Sequence, residues 1–218
     1  MMDIMLFGMQ GSGKGTQGQR LADHFGYKIF ETGGALRALA EEPSPLGKKV
    51  KLIIEAGHLV SDDVVIEIVE DFLTKIKHVV PVIFDGIPRK MTQAINFDAL
   101  MARVARSPVG LYIAISEQEA MKRLTTRKIC SQCRSVYPGN YQETHCERCK
   151  GPLTTRADDT VESIQVRLKH YAEETLPVIH RYRYENRMIE INGEQPMDKV
   201  HQDIMAALDS WSSTHPKA

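Results

Sequence analysis

One stretch, Gly8-Met-Gln-Gly-Ser-Gly13-Lys14-Gly15-Thr16, constrains this chain more than any other. It carries the spacing G-x-x-x-x-G-K, follows a short apolar run at 3–7, and leads into a helical pattern marked by Leu21, Ala22 and Phe25. A glycine-dense turn between a strand and a helix lets backbone N–H groups converge. The helix start adds its positive dipole end and the lysine a mobile charge, which together grip phosphate oxygens. Gly15 stands where the general pattern has Ser or Thr, so the hydroxyl of Thr16 falls one position late. A solvated lysine on an ordinary glycine turn is the plainer reading. The flanking strand and helix argue against it.

Further apolar runs at 28–30, 80–85, 110–115 and 188–191 fit buried strands, making five with the first. Helix-length segments lie at 34–41, 45–56, 62–76, 91–103 and 117–127, then at 161–185 with a kink expected at Pro177, and at 197–211 before a frayed tail. This alternation predicts an α/β fold: a five-stranded parallel sheet with helices on both faces. Two segments break it. Residues 32–60 have helical pieces and no strand, and 128–159 have turn residues such as Pro138, Gly139, Asn140 and Gly151 but little apolar periodicity. Asp62 and Asp63 are expected to cap a helix.

The second interruption holds every cysteine of the chain, Cys130, Cys133, Cys146 and Cys149, as two CxxC pairs. Four thiols within twenty residues, in a segment too poor in apolar residues to build its own core, fit a tetrahedral structural metal site, zinc first. Disulfides, buried thiols and a ligand set including His145 are the alternatives.

With 28 basic and 28 acidic residues the chain has no net charge to drive binding to nucleic acid or a lipid surface. No apolar run approaches membrane-spanning length, and the N-terminal residues lack a signal-peptide pattern, so the expectation is a cytoplasmic protein, not bound to a membrane. Charge is nonetheless uneven: from Lys122 to Arg156 there are eight Lys or Arg against two Glu. Phosphoryl transfer needs such positive charge around the group in transit. In Asp85-Gly86-Ile87-Pro88-Arg89, an aspartate closing the third strand is well positioned for the water shell of a magnesium ion, with Arg89 near a phosphate.

Taken together these residues resemble the adenylate kinase family, in its long-lid form with a zinc-containing lid. The ordered elements are GMQGSGKGTQ from Gly8, TGGALR from Thr32, GHLVSD from Gly57, DGIPRKMTQA from Asp85, RLTTR from Arg123, the four cysteines, TRADD from Thr155, and Arg167. The resemblance implies a P-loop nucleoside monophosphate kinase fold. Its core would be 1–31, 61–127 and 160–218, with a monophosphate-binding insert at 32–60 and a lid at 128–159. It implies MgATP as donor and AMP as acceptor, two ADP as product, structural Zn²⁺ in the lid, and a monomer.

By the same resemblance Gly11, Ser12, Gly13, Lys14, Gly15 and Thr16 would wrap the ATP phosphates, with Arg123, Arg127, Val136, Tyr137 and Gln195 completing the ATP site. Thr32, Gly33, Arg37, His58, Leu59, Val60, Gly86, Ile87, Pro88, Arg89, Gln93, Arg156 and Arg167 would hold AMP. Lys14, Asp85, Arg89, Arg127, Arg156 and Arg167 would carry catalysis, with Asp158 and Asp159 as lid-hinge acids. Read from its neighbours alone, Tyr137, like Tyr141, is expected to pack locally. Gln10, Gly34, Ile87 and Lys90 depart from the family's usual proline, aspartate, phenylalanine and threonine. A kinase for another nucleoside monophosphate and a nucleotide sensor of weak turnover are the rival readings.

Overall fold

The computed structural model describes residues 2–55, 60–133, 135–155 and 159–215. Five strands, β1 (Ile4–Phe7), β2 (Lys28–Glu31), β3 (Val82–Asp85), β4 (Val109–Ala114) and β8 (Met188–Asn192), form one parallel sheet in the order β2-β3-β1-β4-β8. All five match predicted runs. Every β1 side chain is buried, as a central parallel strand covered on both faces requires.

Alternation along β1 divides the core. Met5 and Phe7 point with Phe30, Phe84 and Phe97 toward α4 (Asp62–Thr74), α5 (Met91–Arg103) and α8 (Leu176–Tyr184). Ile4 and Leu6 point with Ile83, Leu111 and Ile191 toward α1 (Lys14–Phe25) and α9 (Met197–Thr214). From β1 the chain crosses over α1 to β2 at one edge, whereas from β4 it continues toward β8 at the other. The connections leaving β1 and β4 therefore run to opposite sides and open a crevice at the carboxyl ends of these two paired strands, the usual ligand position of such sheets.

The interruptions take their own forms. α2 (Thr32–Ala40) and α3 (Pro45–Glu55) follow β2, and α2 begins two residues earlier than predicted because the Glu31 side chain accepts from the N–H groups of Gly33 and Gly34. Beyond α6 (Glu117–Thr126), short antiparallel strands β5 (Lys128–Cys130), β6 (Val136–Tyr137) and β7 (Leu153–Thr154) make a second sheet, β6-β5-β7. Their two or three residues are too short for a periodicity to be read.

Three expectations are corrected. The helix predicted over 161–185 is α7 (Val161–His170), a wide turn at Tyr171–Thr175, and α8. Pro177 has no N–H and crowds the carbonyl four residues back, and the wide turn, with Leu176 N–H donating to Tyr171 O, absorbs that conflict ahead of the proline. α9 continues to Thr214, past the expected fraying point, and Trp211 stacks on His215 with centroids 4.2 Å apart. Asp62 does not cap α4: its carboxylate accepts instead from Thr92 Oγ1 and from Gln93 Nε2 at 2.8 Å, tying α4 to α5.

Candidate active site

The loop after β1 is shaped by close approach. A Cβ on Gly8 would lie 2.5 Å from Ser12 Oγ and 2.8 Å from Ile113 O, and Gly13 enters α1 at φ 90°, where other residues are strained. Most helix starts near the site are capped or acidic: Ser116 caps α6, Thr160 caps α7 and two aspartates begin α4. α1 has neither a side-chain cap nor an acid in its first turn, so its N–H groups stay available to an anion. Ser12 Oγ is buried there with no hydrogen-bond partner among the described residues.

Lys14 Nζ donates to Met9 O at 3.3 Å. Burial lowers the affinity of Lys14 for its proton, Asp85 works against that, and Arg89 and Arg127 add to it. Asp85, at the end of β3, is raised by burial; Lys14 pulls it back, Glu31 raises it further and Arg89 opposes. Its Oδ2 would stand 3.8 Å from a Cβ on Gly15, so the carboxylate faces the loop. Arg123 closes the other side: Nη2 donates to Gly193 O at 2.9 Å, Nη1 to Gly11 O at 3.4 Å, and Nε to Glu119 at 2.7 Å. Gln195, two residues beyond Gly193, is fixed by Asn192 O and Asp203. Thr16 lies in the first turn of α1.

The second group gathers at the ends of β2 and β3. Thr32 Oγ1 donates to Asp85 O at 3.2 Å, and Arg89 Nε to Gly86 O at 2.9 Å. Gln93 is buried, its amide oxygen accepting from Arg89 N and its amide nitrogen donating to Asp62. Ile87, Pro88 and the half-buried Val60 give this side an apolar floor. Gly33 and Arg37 sit in α2, where Arg37 Nη2 meets Glu31 Oε2 at 3.3 Å. His58, Leu59, Arg156 and Asp158 lie outside the described residues.

A third group connects α6 and α7. Arg127 grips Asp159 with both nitrogens, Nε to Oδ2 at 2.6 Å and Nη2 to Oδ1 at 2.9 Å, and Arg167 Nη2 reaches Oδ1 at 2.8 Å. Burial works to raise Asp159, and hydrogen bonds and charge from the two arginines outweigh it, leaving the carboxyl below its ordinary value. Two arginines thus share one buried carboxylate beside the loop.

The four cysteine sulfurs lie within 4.8 Å of one another, with Cys130–Cys149 at 3.4 Å and Cys133–Cys146 at 3.5 Å. None is disulfide-bonded. Zn–S bonds of about 2.3 Å in a tetrahedron put sulfurs about 3.8 Å apart, so this donor set suits zinc. Tyr137 Oη contacts Cys146 Sγ at 3.0 Å. Burial pushes the Cys146 thiol up, and hydrogen bonds from Tyr137 and the backbone overcome it, bringing the thiol down to about 6. The Tyr137 ring is buried 4.4 Å from that of Tyr141, while Val136 is exposed. Sequence reasoning missed Glu31 and the Asp62 tether.

An uncapped glycine loop with a lysine, an aspartate facing it and arginines on three sides define a phosphate-loop enzyme of nucleotide phosphoryl transfer. The family model "Adenylate kinase" matches residues 6–187. Proteins named adenylate kinase from Dehalococcoides mccartyi (35% identity, 95% of this chain and 98% of theirs), Nitrosococcus oceani (34%, 96% and 99%) and Chlamydia pneumoniae (36%, 94% and 96%) are similar along nearly their full lengths. The chain belongs to the adenylate kinase family.

Proposed function

We infer that the protein transfers the γ-phosphoryl of ATP reversibly to AMP, giving two ADP. The observation that carries this reading is the convergence of Lys14, Asp85 and Arg123 on the uncapped start of α1, with Thr32, Arg37, Arg89 and Gln93 gathered at the adjoining strand ends.

The loop 11–16 holds the donor phosphates, with Lys14 bringing its charge to the outer ones, while Arg123 and Gln195 border the ATP base. Arg37 and Arg89 grip the acceptor phosphate, Thr32 and the segment Gly86-Ile87-Pro88 line its pocket, and Gln93 reads the adenine. Gly33, His58, Leu59 and Val60 complete that side, and Val136 edges the ATP site. Arg127 and Arg167 exchange their shared Asp159 carboxylate for the phosphates in transit and Arg156 joins them there, so the charge spread over the moving group is met from several directions. No side chain needs to form a covalent bond, since positioning and charge suffice.

Mg²⁺ supplies charge neutralisation on the donor oxygens, and Asp85 is the residue that would hold its water shell. The cysteine segment, 128–159, acts as a lid around structural Zn²⁺ and excludes water when it closes; 32–60 forms the monophosphate insert on a core of 1–31, 61–127 and 160–218. No described helix is long and apolar enough to cross a membrane. Four unbridged thiols suit a reducing compartment, and we assign the protein to the cytoplasm, working as a monomer whose two inserts move independently.

A coupled assay for ADP with ATP, Mg²⁺ and each of AMP, GMP, CMP and UMP tests this. Turnover with AMP alone is expected, and Lys14→Met should lower kcat by roughly a hundredfold to a thousandfold, as loss of one charged donor does. Preference for another monophosphate would reassign the acceptor. Silence with all four from folded, ATP-binding protein would end the enzyme reading.

A further inference from the structure

We propose that Glu31 sets the affinity for the acceptor, as a built-in anion that shares Arg37 with the incoming phosphate. The proposal rests on the reading of Arg37 as a ligand of the acceptor phosphate. Glu31 closes β2, and its carboxylate covers the start of α2: Oε1 accepts from Gly33 N at 3.1 Å, and Oε2 from Gly34 N at 2.7 Å and Arg37 Nη2 at 3.3 Å. The two glycines make room for it. A Cβ at position 33 would stand 2.8 Å from Oε1 and one at position 34 would stand 2.6 Å from Oε2, both nearer than real contacts allow. A side chain at either position would make the Glu31 carboxylate shift from this placement.

Its position sets its effect. Glu31 is the registered partner of Asp85 across the parallel pair β2–β3, so the two acids project from the same face at neighbouring strand ends. A monophosphate reaching Arg37 brings a charge near −2 beside a carboxylate already on that guanidinium. Two influences compete. The Glu31–Arg37 pair is 48% and 67% exposed, so its help in orienting the arginine is small, whereas repulsion between the carboxylate and a dianion a few ångströms away is larger. Repulsion wins, and Glu31 weakens acceptor binding.

The test is equilibrium titration of AMP and of adenosine, which lacks the phosphate, into wild type and Glu31→Gln by calorimetry at low salt without ATP. Glutamine keeps an acceptor for the helix N–H groups and loses the charge. The expected result is AMP bound about threefold to tenfold more tightly, adenosine unchanged, and the gain shrinking in about 0.5 M KCl as screening takes effect. Glu31→Ala, which gives up the helix cap as well, should tighten AMP in the same direction even if its Tm falls. Unchanged or weaker AMP binding in the glutamine variant, or an equal shift for adenosine, would overturn the proposal. Arg37→Gln keeps the two readings apart: it should weaken AMP at least tenfold, and AMP affinity left intact there would remove the assignment of Arg37 rather than the charge of Glu31.

Discussion

The five-stranded core and the cysteine segment reach order by different means. Around the sheet, the two faces bury apolar clusters containing Phe84, Phe97 and Tyr182 on one side and Ile4, Leu111 and Ile204 on the other. In the cysteine segment the buried cluster is Cys130, Tyr137 and Cys146, two of its three members being candidate metal ligands. Burial of apolar surface, at about 25 cal/mol per Å², holds the first region. The second has too little such surface, and the coordination it is built for substitutes for a core. Packing is distributed over many residues and fails gradually, whereas coordination is concentrated in four and fails at once.

Three experiments press on that contrast. The largest effect is expected from Phe84→Ala, which empties the middle of the sheet's core and should cost about 3–5 kcal/mol, lowering Tm by roughly 10 °C while bound metal is retained. Loss of metal in this variant would mean that the regions are not independent. Cys146→Ser comes next. It should release the metal, speed proteolysis within 128–155 and lower Tm by less than the core variant, with a chelator acting on wild type in the same way; an unchanged melt and unchanged metal content would remove the coordination account.

Asp159→Asn tests the junction between the regions, and its effect depends on pH. The carboxyl of Asp159 is lowered from its ordinary 3.8, so the stability it contributes is present above that value and is lost as pH falls through the lower folded-state value. At pH 7 the variant should lose on the order of 2–3 kcal/mol, because Arg127 and Arg167 lose a shared charge. As pH falls below 3.8 and on through the lowered folded-state value the wild-type advantage should shrink, since the native carboxyl then protonates. An advantage unchanged across that fall would show that shape, not charge, is what Asp159 provides.

Legibility followed periodicity. The five sheet strands and the span of α5 could be read because buried strands and amphipathic helices leave a repeating apolar pattern. The three short strands around the cysteines could not, since two or three residues carry no period. Within the site, Gly8, Gly13 and Lys14 were legible because a phosphate-gripping loop demands those residues at that spacing. Glu31 was not, because glutamate before a helix is an ordinary surface residue until its carboxylate is seen over Gly33 and Gly34.

The sequence by itself determined the strand–loop–helix opening, the parallel α/β plan, the four clustered thiols and the ordered motifs of the family. Each is written in local spacing, which chain geometry converts directly into structure. Only the tertiary structure decided that Asp159 is shared by Arg127 and Arg167, that Asp62 tethers α5 instead of capping α4, and that Glu31 lies across the helix start beside Arg37. Those partners are fixed by how separate elements meet. The same carboxylate can cap, tether or compete with a ligand, according to which donors the fold carries to it.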